Sequence, residues 1–457
     1  MIEKNIVLVW VWWAGMSGIA GMLLDLWYTN IVWIDNEHSQ LTDRLESRGL
    51  QIIYGHGHYK IQAGDIVIYS TATEQSLEVQ QAYTLAQDYV HGMLVCSYFQ
   101  FLWEISKYCR TLTIAGTNGK STTTALALYA AQRHLADFWL WILGALVPDL
   151  GNQSYCIHRN HYDNMRNIFD HIFTGNWLNT QLIKKYIFIL EACEYKRHFL
   201  HLDPDRTIIT SLELDHTDYY RDMADYQDAF IQLINKTKQQ VFLAPNMDRD
   251  RIPTQYRDKC LITQQQESFF DHVFGEHYQM NTSLLHPALE TMGMQWLTHT
   301  ARQGFHGLWR RMEYLGTTQQ WASIYTDYAH MPSSLDMVYH TLKKQFPDKK
   351  ICAVFQPHQV HRILQSWEEF VQAMHLYDAN ILYQIYAARE DGDKIYEYNH
   401  RAIGTVTDIW HILAKDIGSS YVVNFDRLHK LIQTYNADRI IVILTAGDLD
   451  YYIRNML

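Results

Sequence analysis

Seven consecutive residues, Gly116, Thr117, Asn118, Gly119, Lys120, Ser121 and Thr122, follow the apolar run LTIA and lead into a long helix-compatible stretch. Glycines let a backbone curl until successive N–H groups face phosphate oxygens, and the helix N-terminus that follows adds partial positive charge. Lys120 would then bridge the β and γ phosphates of a nucleotide, with the hydroxyl of Ser121 or Thr122 on magnesium. The loop is shorter than the general G-x-x-x-x-G-K-[ST] form. On spacing alone, a Gly-rich turn before a helix is the alternative.

Other reactive side chains fall after apolar runs. Glu191, Cys193 and Glu194 follow the run YIFIL, and Asp215 and His216 follow RTIITS. Clustered acids with a histidine suit a hard divalent cation, because such ions prefer oxygen ligands; two solvated acidic loops would look the same. Farther along stand Arg310 and Arg311, then Asp327 and His330, then His358 and Arg362. Arginine forks onto phosphate or carboxylate oxygens, although paired arginines are commonly a solvated face.

The elements that must position these groups alternate strand and helix. Residues 6 to 11 read as a buried strand, 15 to 28 as a helix and 31 to 35 as a second strand closing on Asp35, a Rossmann-like opening. DIVIYST (65 to 71) and MLVCS (93 to 97) continue the alternation to about residue 107, where the phosphate-loop unit begins. Near residue 300 the texture changes again, and the strands KICAVFQ, ANILYQIY and RIIVILTAG alternate with helical stretches to the end of the sequence. We therefore expect an α/β fold of three domains: a Rossmann-like N-terminal domain (1–107), a central P-loop ATPase-type α/β domain (108–300) and a C-terminal Rossmann-like α/β domain (301–457). Ligands of open α/β sheets bind at the carboxyl ends of strands.

Composition bounds the function. A chain of 457 residues exceeds what one core usually organises. Its net charge of −11, with no Lys/Arg run, argues against general nucleic-acid binding. Six scattered cysteines without a C-x-x-C pair suggest neither a zinc ribbon nor a disulfide framework, and fit a reducing cytoplasm. The apolar start is interrupted by Gly15, Ser17 and Gly18 and followed by a second strand, so it reads as a βαβ opening rather than an export signal or membrane segment.

GTNGKSTT resembles the GT-x-GK-[ST]-[ST] loop of the Mur ligase family, and further segments follow in order. EACE and SLELDHTDYY resemble the family's E-A-x-E and DH-x-D segments. By that resemblance Glu191 binds the Mg2+ between the β and γ phosphates, and His216 a second Mg2+ beside the γ phosphate and the acyl oxygen. GEHYQMN resembles G-x-H-x-x-x-N, which implies His277 and Asn281 near adenine. FHGLWRRMEYLG and YTDYAHMP resemble F-x-G-x-x-x-R-x-E and D-Y-[GA]-H-x-P, implying Arg311 on the ATP phosphates, Asp327 at the ribose and His330 near the amino acid. FQPHQVHR and YAARE resemble segments of the alanine-adding branch, implying that His358, Arg362 and Arg389 shape the amino-acid pocket. The first domain would bind the nucleotide sugar through Gly15, Met16, Ser17, Asp35, His56 and Ser70. The implied reaction joins L-alanine to the lactyl carboxylate of UDP-N-acetylmuramate, using ATP and Mg2+. A related ligase adding a murein tripeptide or another amino acid, a non-catalytic ATP-binding protein and a simple P-loop ATPase are the alternatives. Oligomeric state is not legible.

The sequence departs from the family at Ser211, usually asparagine, and at Met331, where alanine-adding members usually carry a second histidine. The largest departure is in the turn G-x-G-G-x-G-M-S, written here with Trp10, Trp12 and Trp13 ahead of Gly15, Met16 and Ser17. Trp27, Trp33, Trp103 and Trp141 also fall at glycine positions by resemblance. Glycine numbers 22 and tryptophan 14, against a usual glycine share of roughly 7%. The pattern is that expected when UGA codons for glycine are translated as tryptophan; a first domain that has lost nucleotide binding and repacked around aromatics is the alternative.

Overall fold

The computed structural model describes the chain except residues 1–3, 11–13, 37, 39, 89–93, 135–138, 148–152, 158, 246, 248–249, 251, 265–274, 295–304, 306, 388–389, 391–393, 399–400 and 423, and except the side chains of 14, 40, 87–88, 131–134, 139–147, 153, 159, 276–277, 398 and 401. Trp12, Trp13, Arg389 and the side chains of Trp141 and His277 thus lie outside the described residues.

The chain forms two compact units, Met1–Asp271 with His277–Phe305, and His272–Glu276 with His306–Leu457. The first unit holds two sheets. In one, strands β1 (Ile6–Val9), β2 (Ile31–Asp35), β3 (Gln51–Tyr54), β4 (Ile66–Tyr69) and β5 (Val95–Ser97) run parallel in the order β3-β2-β1-β4-β5. IVLV of β1 and IVIY of β4 are buried throughout, as an apolar run covered on both faces should be. The helix Tyr98–Tyr108 leads out of β5. Ser97 accepts from the Gln100 N–H at 3.3 Å while the Gln100 side chain accepts from the Ser97 N–H at 2.8 Å, a capping box.

The second sheet contains β6 (Cys109–Ala115), β7 (Trp139–Val147), β8 (Gln153–Ile157), β9 (Tyr186–Glu191), β10 (Arg206–Ile209), β11 (Gln240–Leu243) and β12 (Cys260–Ile262). Their order is β12-β11-β10-β6-β9-β7-β8, parallel except for the antiparallel β7–β8 pair. The helix Ala14–Asp25 lies against β7 and β8. Tyr28 Oη donates to Asp170 at 2.6 Å, and Arg48 donates to Tyr155 at 3.0 Å. These bonds and one continuous core join the two segments that the sequence reading separated near residue 107.

The second unit carries β13 (Glu313–Thr317), β14 (Ser323–Asp327), β15 (Lys350–Gln356), β16 (Ala379–Tyr383), the hairpin strands β17 (Tyr396–Tyr398) and β18 (Arg401–Gly404), β19 (Ser420–Val422) and β20 (Arg439–Thr445). Its main sheet is ordered β13-β14-β20-β15-β16-β19, with only β13 antiparallel among the described strands. Apolar clusters cover both faces of this sheet. No described helix is long and apolar enough to cross a membrane.

Candidate active site

Strand register brings the chemistry of the second sheet to one edge. Ile114 pairs with Glu191 and Ala115 with Ile209, so the chain leaves β6, β9 and β10 side by side at their carboxyl ends. The loop Gly116–Gly119 starts there and the helix Lys120–His134 follows. Gly116 has φ +134°, and a Cβ on it would lie 2.2 Å from Thr210 Oγ1 and 2.8 Å from the Ser211 nitrogen, so only glycine fits. Ser211, the departure from the family's asparagine, still supports the loop. Its hydroxyl accepts from the Asn118 N–H at 2.7 Å and its carbonyl from the Thr117 N–H at 3.2 Å. Thr117 Oγ1 donates to the Glu213 carbonyl at 2.7 Å and lies 2.9 Å from Tyr226 Oη. Thr122 is buried behind the loop.

Lys120 donates to the carbonyls of Gly116 and Thr117 and sits 3.1 Å from both carboxylate oxygens of Glu194. Glu194 is 2% exposed, and His216 Nε2 lies 3.6 Å from it and 3.9 Å from Asp215. Burial alone would raise the Glu194 carboxyl, but Lys120 and His216 outweigh it and hold the group below the ordinary carboxylate range. Burial likewise opposes the charge of Lys120 and of His216. The Glu194 carboxylate prevails for Lys120, and the hydrogen bond to Glu194 with the Asp215 charge prevails for His216, so both are raised. Ser121 Oγ donates to Glu191 at 2.9 Å.

Ligand atoms of Glu194, Asp215 and His216 all lie within 4.8 Å of one another. Two carboxylates and an imidazole at that spacing fit a divalent cation, and Ser121 with Glu191 adds oxygen donors at the phosphate loop. The sequence reading named Ser121, Glu191 and His216 for this role and gave Glu194 none; the second acid of EACE was its only signal. Asn281 is buried with its side-chain oxygen 2.8 Å from where a Gly119 Cβ would be, which sets it against the phosphate loop.

In the first sheet, Val9 pairs with both Ile34 and Tyr69, so Trp10, Asp35 and Ser70 stand next to one another where the strand order reverses. Asp35 is buried and accepts from Trp33 Nε1 at 3.2 Å and the Asn36 N–H at 2.7 Å. Ser70 accepts from the Ala72 N–H at 3.2 Å. His56 Nδ1 lies 3.3 Å from the fully buried Glu78. Gly15 packs against Tyr98, Met16 is wholly buried, and Ser17 Oγ lies 3.5 Å from Ser154 Oγ. All six residues that the resemblance assigned to the nucleotide sugar thus have protein neighbours in this structure.

In the second unit the two arginines divide. Arg310, in left-handed backbone at φ 55°, is buried with Nε 3.0 Å from Asp450. Arg311 lies over the Tyr328 ring at 5.1 Å. Asp327, at the carboxyl end of β14, accepts from the N–H groups of Met312 and Ala329, each at 2.8 Å. Burial raises its carboxyl, with Arg311 and the two N–H groups in opposition. His330 Nδ1 faces the Tyr328 carbonyl at 2.8 Å, and its ring is 5.8 Å from that of His358. His358 stacks on Tyr386 at 5.6 Å and takes Arg362 Nη1 on its Nδ1 at 3.1 Å. Gln356, which the motif reading left without a role, is fully buried; its carbonyl oxygen accepts from Thr445 Oγ1 at 2.7 Å and its amide donates to Asp448 at 2.8 Å.

Comparison with known proteins agrees with this geometry. Residues 114–284 match the Mur ligase middle domain and residues 310–449 the Mur ligase, glutamate ligase domain. The UDP-N-acetylmuramate--L-alanine ligase of Caldicellulosiruptor saccharolyticus is 26% identical over 97% of each chain. That of Clostridium perfringens is 26% identical over 85% of each. Among solved structures, the UDP-N-acetylmuramate-alanine ligase of Thermotoga maritima superposes with a TM-score of 0.73 at 18% identity, covering 99% of this chain and 98% of that one. A murein peptide ligase from Psychrobacter arcticus gives 0.60 at 19% identity over the same shares. With the phosphate loop, the lysine–glutamate–histidine cluster around buried Glu194 and both domain matches in chain order, this protein belongs to the Mur ligase family.

Proposed function

We propose that this chain joins L-alanine to the lactyl carboxylate of UDP-N-acetylmuramate with ATP, through an acyl phosphate, in the cytoplasm and as a step in making a peptidoglycan precursor. The observation that carries the reading is the Lys120–Glu194–His216–Asp215 cluster set on the phosphate loop. The full-length relatives named for this reaction support its substrates.

Lys120 already rests on two carbonyls and a carboxylate, the kind of oxygen cage that nucleotide phosphates offer. Binding ATP exchanges protein oxygens for phosphate oxygens around an ammonium that Glu194 keeps charged. Ser121, Glu191, Glu194, Asp215 and His216 would hold Mg2+, which screens the repulsion between the triphosphate and the incoming carboxylate. The carboxylate takes the γ phosphoryl group and ADP leaves. The alanine amine then attacks the acyl carbon, and phosphate departs as the amide forms. Catalysis is positioning plus charge neutralisation. We assign the nucleotide sugar to the first sheet, ATP to the second, and the amino acid to His330, His358 and Arg362 at the strand ends of the third.

The test measures phosphate release with UDP-N-acetylmuramate and each amino acid in turn, with product identified by mass. L-Alanine should give the largest kcat/KM. Preference for a murein tripeptide or another amino acid would replace the substrate assignment. Hydrolysis indifferent to both co-substrates would leave only an ATPase.

A further inference from the structure

Two tryptophans occupy backbone built for glycine. The helix Ala14–Asp25 ends with the Trp27 N–H on the Leu24 carbonyl and the Tyr28 N–H on the Leu23 carbonyl, both at 3.0 Å, with Trp27 at φ 59°. That bond pair is a Schellman cap, and Trp27 is its left-handed residue. Three other helices of this chain close with the same two bonds. Their left-handed residues are Gly49, Gly293 and Gly418, at φ 92°, 79° and 62°.

Trp321 repeats the anomaly in a hairpin. Its N–H donates to the Thr318 carbonyl at 3.0 Å, the Thr318 N–H donates to Ala322 at 2.9 Å, and Trp321 has φ 69°. A turn followed by one left-handed residue between β13 and β14 is a glycine-type bulge.

Both side chains are largely exposed, although the Trp27 ring meets Tyr162 edge to face at 5.6 Å. Trp27 is 56% exposed and Trp321 74%, where tryptophan is ordinarily well buried. Of the other positive-φ residues, Arg197, His216 and Arg310 pair with Asp225, Glu194 and Asp450, and Met312 is buried. Among the described residues neither Trp27 nor Trp321 donates an indole hydrogen bond. Trp10, at the end of β1, is buried with its Nε1 unpartnered. Glycine, at 22, is about ten short of the roughly 32 that average usage gives a chain of this length, and tryptophan numbers 14.

We propose that Trp27 and Trp321 are glycine in the protein as its own cell makes it, their codons being UGA decoded as glycine, and that Trp10, Trp12 and Trp13 share this origin. Trp33, Trp103 and Trp367 differ: each indole N–H reaches a carboxylate, of Asp35, Asp203 and Asp416 at 3.2, 3.2 and 3.1 Å. Nothing in their backbone calls for glycine, so for Trp33 and Trp103 the structure adds no support to the family alignment. By the family resemblance, glycine at 10, 12 and 13 restores the glycine-rich segment that a diphosphate approaches closely. Only this consequence rests on the ligase reading.

The test is peptide mass spectrometry of the protein from its native cells, with the gene's codons read alongside. Glycine mass at 27 and 321, over TGA codons, is expected; tryptophan mass or TGG at both overturns the proposal. Made as written, the chain gives an independent measurement. Trp27→Gly and Trp321→Gly should each raise the melting temperature by about 1–4 °C, and a fall in both variants counts against glycine. The variant with glycine at all five positions should bind UDP-N-acetylmuramate by calorimetry at least 10-fold more tightly than the chain as written. Native glycine without that gain would keep the decoding and remove the nucleotide-sugar assignment.

Discussion

Glu194→Gln is the most informative single change, because it removes one charge from the centre of the cluster while keeping its shape. Lys120 Nζ lies 3.1 Å from both carboxylate oxygens, and His216 lies 3.6 Å away. At an effective dielectric of about 20, a unit pair at 3.1 Å attracts by roughly 5 kcal/mol. Desolvation of two buried ions consumes much of that attraction, yet removing one partner of such a pair still costs roughly 3–5 kcal/mol. Glutamine keeps an acceptor for Lys120, worth about 1 kcal/mol. The expected net loss of stability is therefore about 2–4 kcal/mol, read as a lower melting temperature without ligand. Function should separate into two effects. Nucleotide binding without Mg2+ should hold or tighten, since Lys120 no longer shares its charge with a competing carboxylate. Phosphate release should fall roughly 100-fold, and the Mg2+ concentration for half activity should rise roughly 10-fold. Unchanged turnover and Mg2+ dependence in a folded variant would refute the placement of Glu194 at the reacting phosphates.

Lys120→Ala should abolish ligation while UDP-sugar binding by the first sheet is unaffected; turnover like that of the parent would overturn the phosphate-loop assignment. His216→Ala should raise the Mg2+ requirement and slow formation of the acyl phosphate, and an unchanged Mg2+ titration would make His216 structural. His198 is buried against Phe99, ring to ring at 4.3 Å, and burial with help from His201 and Lys196 lowers it to about 4, although Glu194 pulls the other way and His216 adds to the lowering. A histidine depressed in the folded state leaves the unfolded chain binding the extra proton, so stability drops as pH falls from about 6.5 to about 4, by about 3 kcal/mol in all. His198→Phe should flatten that part of the melting profile, and an identical acid-side fall in both proteins would disprove it. Asp327→Asn replaces one acceptor of the Met312 and Ala329 N–H bonds with a donor, and should destabilise the second unit by roughly 1–3 kcal/mol; a melting temperature equal to the parent's would count against it.

The phosphate loop and the strands around it were legible because their signals are local. LTIA and YIFIL are runs that a sheet covered on both faces requires, and a glycine-lysine turn after such a run has few other uses. What was not legible depends on distant donors or on unusual backbone. Family resemblance assigns Arg311 to the phosphates and gives Arg310 no role of its own; Arg310, in left-handed backbone, pairs with buried Asp450. Glu194 reads as one acid among several until Lys120 and His216 are seen on it. The merging of the first two segments rests on the core packing beneath the helix Ala14–Asp25 and on pairs such as Tyr28–Asp170, which no local pattern announces.

Each of the three larger sheets ends one strand on an acid at its carboxyl end: Asp35 on β2, Glu191 on β9 and Asp327 on β14. The type and the place follow from sequence, since a carboxylate after an apolar run falls where parallel strands leave the sheet. The use does not. Asp327 accepts two backbone N–H groups, which fix the chain around Met312 and Ala329. Asp35 accepts from its neighbour's N–H and from an indole that family resemblance replaces with glycine. Glu191 accepts from a serine hydroxyl of the phosphate loop itself. A hydroxyl can rotate away when an ion or a phosphate arrives, whereas a backbone N–H in a packed turn cannot. The Glu191–Ser121 bond is thus one that an arriving ion or phosphate should displace more readily than the backbone N–H bonds to Asp35 and Asp327, and a Ser121→Ala variant that leaves the Mg2+ requirement unchanged would count against that exchange.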